Sequence, residues 1–135
     1  MLEIGKSFTM THTVEPHQTA AAMKSGALNV LATPILVAFL EECCLECVKP
    51  YLEEGMTTVG TAVNITHEAP TPVGGKVTAQ CFLRAVDGRK LSFSVEASDG
   101  SGIIARGTHE RFIVDSLKFQ KKCDQKKENG GSDHV

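Results

Sequence analysis

One stretch limits the folds open to this chain more than any other. Thr33-Pro34 opens a run, residues 34–52, in which most positions are apolar. Thr is a favoured helix cap, and Pro suits the first turn because its missing N–H is not needed there. Pro50 and Gly55 close the run. A helix that is apolar on most sides has to be covered on most sides. With 135 residues the chain has room for one domain and one sizeable core, so the cover must come from the rest of it.

The rest reads largely as strands. Residues 6–14 alternate, with Phe8, Met10, His12 and Val14 on one face and Thr9, Thr11 and Thr13 on the other. Residues 16–32 read as a loop with a short helix. Four further strands are expected at 57–69, 76–86, 89–98 and 103–114. Pro70, Pro72, Gly74 and Gly75 separate the first two, Asp87-Gly88 marks a tight hairpin, and Asp99-Gly100-Ser101-Gly102 forms another turn. Connections this short make neighbouring strands antiparallel. The expected architecture is α+β, an antiparallel sheet wrapped around a long central helix within residues 1–120. Residues 121–135 are too polar to bury much and read as a mobile tail.

Composition removes several functions. Fourteen basic and 16 acidic residues give a net charge of −2, with no concentrated basic face for nucleic acid. Trp is absent and Tyr occurs once, so no aromatic platform for stacking bases is expected. The five cysteines are odd in number and irregularly spaced, and three of them (Cys43, Cys44 and Cys47) crowd the apolar run. They read as reduced thiols in a cytoplasmic protein, because the single Cys44-x-x-Cys47 pair has neither a second pair nor a histidine at ligand spacing for a metal site. The N-terminus has no signal-peptide pattern, and no apolar run is long enough to span a membrane. His109-Glu110-Arg111 lacks the second His of a zinc-protease helix, and no phosphate-binding glycine loop is present.

A few side chains are out of place for a purely structural role. On a helical projection Glu42, Glu46 and Lys49 form the polar stripe, while Glu41 projects among Val37, Ala38, Cys44, Leu45 and Val48. A carboxylate there needs a partner, a raised pKa or a wet cleft, and is a candidate base or nucleophile, unless it bends out to solvent from the stripe edge. His67 lies in phase with Val59, Thr61, Val63 and Ile65, so it points to the apolar face as a core histidine or a catalytic one. Thr33 either caps its own helix or offers a hydroxyl where the helix dipole favours negative charge. It stands eight positions from Glu41, about 12 Å along the axis. The two can meet only through a substrate, across a subunit interface, or by a folded-back loop. Arg111, in phase with His109, needs an anion or a strand-end partner.

The blocks Ala32-Thr33-Pro34 to Glu41, residues 49–53 (Lys-Pro-Tyr-Leu-Glu), residues 60–67 (Gly-Thr-Ala-Val-Asn-Ile-Thr-His) and Gly107-Thr108-His109-Glu110-Arg111 resemble the hotdog-fold thioesterases of the fluoroacetyl-CoA thioesterase type. The likeness spans residues 5–120. It implies a hotdog fold, a homodimer with sites at the subunit interface, and hydrolysis of an acyl-CoA substrate without a metal or bound cofactor. Carried over by motif, the catalytic set is Thr33, Glu41 and His67, with Gly60 and Arg111 at the substrate. The fluoroacetyl-specific enzyme has a Phe-bearing lid before its catalytic Thr. Residues 24–31 hold no Phe here, so the resemblance implies a general short-chain acyl-CoA. The rival reading is a non-catalytic acyl-CoA binding or sensing module on the same fold.

Overall fold

The computed structural model describes residues 2–131. Strand β1 (Ser7–Thr13) leads through a 3-10 turn at Pro16–Gln18 and a single helical turn, α1 (Ala20–Met23), into the long helix α2 (Thr33–Val48). A second 3-10 turn, Lys49–Tyr51, ends it. Strands β2 (Met56–His67), β3 (Lys76–Asp87), β4 (Lys90–Asp99) and β5 (Gly102–Asp115) follow, and helix α3 (Ser116–Gly131) comes last. The five strands form one antiparallel sheet in the order β1-β3-β4-β5-β2. Strands β1 and β2 are therefore its edges.

Helix α2 packs on the inner face of this sheet, as its composition demands. Leu36, Phe39, Leu40, Cys43, Cys44, Cys47 and Val48 join Val77, Ala79, Cys81 and Leu83 of β3 and Leu91, Phe93, Val95 and Ala97 of β4 in one buried cluster. Strands β3 and β4 alternate buried and less buried residues through this region, and each large apolar side chain buried there stabilises the fold by roughly 1.5–3 kcal/mol. The four thiols of the core are free. Its hydrogen bond with Cys81, then burial, push the Cys43 thiol far above its usual range, so it packs as a small apolar group.

Three details depart from the sequence expectation. The hairpin after β3 turns on Gly88 and Arg89, with Asp87 paired to Lys90 and Gly88 at φ +60°. The polar segment expected as a tail from Lys121 continues α3 as far as Gly131; residues 132–135 lie outside the described residues. In β2 the alternation breaks. Gly60 pairs with Arg111 and Ala62 with Glu110, which leaves Thr61 as an extra residue. Thr58 and Gly60 consequently share the inward side with Arg111, in place of the expected Val59 and Thr61. Downstream of the bulge, His67 pairs with Ala105 and keeps its inward phase.

Candidate active site

Thr33 is held by the segment that precedes it. Val30 O accepts from Ala20 N (2.8 Å), Leu31 N donates to Thr71 O (2.8 Å) and Ala32 N donates to Gln18 O (2.9 Å). Thr71 is itself buried and tied to Asp99 by a 2.7 Å hydroxyl–carboxylate bond. Ala32, extended at φ −71° and ψ 138°, is the residue that caps α2, without any side-chain bond. The Thr33 hydroxyl is therefore free of the capping role expected for it. It lies 2.7 Å from Nδ1 of His67, at the end of β2.

The Thr33–His67 pair lines a cleft of about 260 Å³ together with Ser25, Val30, Leu31 and Pro70. Burial lowers the His67 pKa below the ordinary histidine range, opposed by the backbone of Ala69. The imidazole is thus neutral near pH 7, and Nδ1 can accept the Thr33 proton. Its other nitrogen, Nε2, is buried and has no hydrogen-bond partner among the described residues. A buried polar atom of this kind is costly unless something satisfies it.

Glu41 belongs to a different group. It is half-buried on α2, and its Oε2 lies 2.9 Å from where a Cβ on Gly60 would sit. The same point is 3.1 Å from Cε1 of His109 and 3.4 Å from Nη1 of Arg111. The missing side chain at Gly60 thus leaves a niche walled by a carboxylate, an imidazole and a guanidinium. Arg111 is buried and donates from Nε to Thr58 Oγ1 (2.7 Å) and from Nη2 to Thr58 O (2.8 Å). Nη1 lies 3.0 Å from Nε2 of His109. Burial lowers the Arg111 pKa, and the nearby Glu41 carboxylate acts against that; an arginine stays charged regardless.

Within one chain, then, the five expected residues fall into two clusters. Thr33 meets His67, while Glu41, Gly60 and Arg111 meet one another. The imidazole that shares Glu41's surroundings is His109, not His67. Among the described residues no group of three or more His, Cys, Asp or Glu is placed to hold a metal ion.

Comparison with known proteins bears on what such a constellation is for. The family model for fluoroacetyl-CoA-specific thioesterases matches residues 14–117. The chain belongs to that family. The fluoroacetyl-CoA thioesterase of Streptantibioticus cattleyicolor is 39% identical over 131 residues, covering 93% of this chain and 94% of that one. A solved structure of a fluoroacetyl-CoA thioesterase superposes with a TM-score of 0.89 at 39% identity, over 93% of this chain and 98% of the other. A Thermus thermophilus hypothetical protein, a thioesterase superfamily member, gives 0.89 at 25% identity, over 98% of each chain. The hotdog fold expected from the sequence is thereby established. The family match takes in all five expected site residues.

Two residues bonded to Arg111 escaped the sequence reading. His109 was visible as an in-phase neighbour of Arg111, two positions away on one strand face, and that i, i+2 pairing of imidazole and guanidinium was its signal. Thr58 gave none, because its inward orientation depends on the bulge at Thr61.

Proposed function

We propose that this protein hydrolyses short-chain acyl-CoA thioesters to the free acid and CoA, as a cytoplasmic homodimer without metal or bound cofactor. The observation that carries the reading is the 2.7 Å approach of a free threonine hydroxyl to a neutral imidazole inside a cleft. That is the arrangement of a nucleophile beside its base. Oγ1 of Thr33 adds to the thioester carbonyl as its proton passes to Nδ1 of His67. The proton then goes to the departing CoA sulfur, and water releases the acyl group from Thr33 by the same path. The N–H groups at the start of α2 favour the oxyanion. A thioester is already activated, so these groups suffice.

The dimer supplies the missing acid. The stretch of β2 from Gly60 to Asn64 is exposed at a sheet edge, and open edges template pairing with another strand. Antiparallel pairing of two β2 strands about a two-fold at Asn64, with Thr61 bulged out of each strand, sets His67 of one copy opposite Gly60 of the other. Glu41 beside that Gly60 then faces the unpartnered Nε2 of His67. Arg111 and Gly60 of the same copy border the acyl end of the substrate. Residues 24–31 put Ser25 and Val30, and no aromatic ring, on the cleft, which suits a small acyl group without selecting a fluorinated one.

The test is thiol release from a panel of acyl-CoAs of increasing chain length, with the Thr33→Ala and Thr33→Ser variants alongside. Turnover highest for short acyl groups, abolished by Ala and kept in part by Ser, is the expected result. Tight acyl-CoA binding with no thiol released would make the protein a binding module.

A further inference from the structure

The niche beside Gly60 contains a buried imidazole for which the proposed reaction has no chemical step. His109 is 2% exposed. Its Nδ1 lies 2.8 Å from the carbonyl oxygen of Ala62, an acceptor only, so Nδ1 carries the proton and donates. Nε2 is then left with its lone pair, and Arg111 Nη1 donates to it at 3.0 Å. The ring is packed against Phe93, with centroids 6.4 Å apart. We propose that His109 is a positioning residue: its backbone-locked tautomer makes it the acceptor that aims the Arg111 guanidinium into the Gly60 niche.

The guanidinium is held on both of its edges. Its five N–H groups include two on Nη1 and two on Nη2. Thr58 takes the Nε proton and one from Nη2, both on one side. His109 takes one from Nη1, the nitrogen nearest the niche. Thr58 alone anchors one edge of the fork. The His109 bond fixes the other edge and leaves the second Nη1 proton available on the side of Gly60 and Glu41. The bulge in β2 is part of the device. It sits between Gly60 and Ala62, so it presents the Ala62 carbonyl to His109 and the bare Gly60 to Arg111. The inference depends on the reading of Arg111 as a substrate-site residue.

The experiment compares His109→Gln, His109→Asn and His109→Leu in acyl-CoA hydrolysis, each also in an Arg111→Leu background. Gln can offer an acceptor where Nε2 stood, whereas Asn reaches only as far as Nδ1. The expected result is a fall in kcat/KM of about tenfold for Leu and Asn, the scale of one charge-assisted hydrogen bond, with most of it rescued by Gln. In the Arg111→Leu background the His109 substitutions should cost nothing further, since there is no guanidinium left to aim. Equal losses for Asn and Gln, or losses that add to that of Arg111→Leu, would overturn the proposal, because packing alone predicts both. If the Leu variant fails to fold, the Gln–Asn contrast decides the matter alone. Full activity in Arg111→Leu itself would remove the substrate-site reading of Arg111, and this inference with it.

Discussion

The two halves of the candidate site are built in opposite ways. The Thr33–His67 half lies on a cleft, is joined by a single hydrogen bond, and leaves a buried ring nitrogen without a partner among the described residues. The Arg111–His109 half is buried and closely bonded to Thr58 and Ala62 before any substrate arrives. A network tied at several points is rigid and holds its geometry at little reorganisation cost. A pair joined at one point is a surface to be completed. The difference teaches that the preorganised half can serve as a fixed electrostatic frame. The other half carries the moving proton and depends on something from outside the chain.

Inactivating each half separately gives the largest expected effect. Glu41→Ala and His67→Ala should each lower thiol release by at least about 100-fold, the usual order for a lost acid–base group. When the two variants are co-expressed with different tags and the mixed dimer is isolated, activity should return. One of its two sites carries both defects and the other carries neither. If Glu41 and His67 served a single subunit's site, every site in the mixed dimer would keep one defect and the mixture would stay dead.

Gly60→Ala attacks the seam between the halves. The added methyl would lie 2.9 Å from Glu41 Oε2 and 3.1 Å from His109 Cε1, so the carboxylate must shift. Displacements of this size cost about 10–100-fold when the displaced group acts on substrate. Since the methyl meets a flexible carboxylate first, the melting temperature should change much less than kcat/KM. A variant that kept full activity would mean the niche is idle.

Much of this site was legible in the sequence, and the reasons for the exceptions are physical. The periodicity of α2 put Glu41 on an apolar side, and the structure has it half-buried against the sheet. His67 was read correctly because its phase depends only on the residues downstream of Thr61. Val59 and Thr61 were misread because a bulge is set by the register against β5, which no local pattern in β2 records. Local sequence leaves Thr33 either a cap or a free hydroxyl, and what separates the two is its bond to a histidine 34 positions away. Long-range bonds of that kind are invisible to local propensity. The helix α3 carries no local signal either: its residues 116–127 bury little, so no apolar stripe announces it.

Protonation separates the halves more gently. Burial lowers the pKa of both His67 and His109. Activity requires neutral His67, so kcat/KM falls on the acid side; in the proposed dimer the Glu41 carboxylate of the other copy, facing Nε2, acts against the lowering by burial, so Glu41→Gln should move that acid limb to lower pH. Stability moves in the same direction. The folded pKa values lie below the unfolded ones, so the full contribution is present above the unfolded value and is lost as pH falls toward the folded ones. An acid limb that stays in place in Glu41→Gln would mean that Glu41 does not face the titrating imidazole.

The smallest expected effect comes from Thr58→Val, which tests whether the buried half is as firmly made as its bonds suggest. The substitution keeps the side-chain shape and the Thr58 carbonyl, which still accepts from Nη2, but removes the hydroxyl that takes the Nε proton. Leaving one buried donor of a charged group unmatched costs about 1–3 kcal/mol, which lowers the melting temperature by several degrees in a domain of this size. The guanidinium keeps its bonds to the Thr58 carbonyl and to His109, one on each terminal nitrogen, so its direction should survive and kcat/KM should fall less than in His109→Asn. Thermal unfolding and kinetics on the same samples separate the two quantities. A loss of activity exceeding that of His109→Asn would place the aiming of Arg111 with the threonine hydroxyl instead of the imidazole.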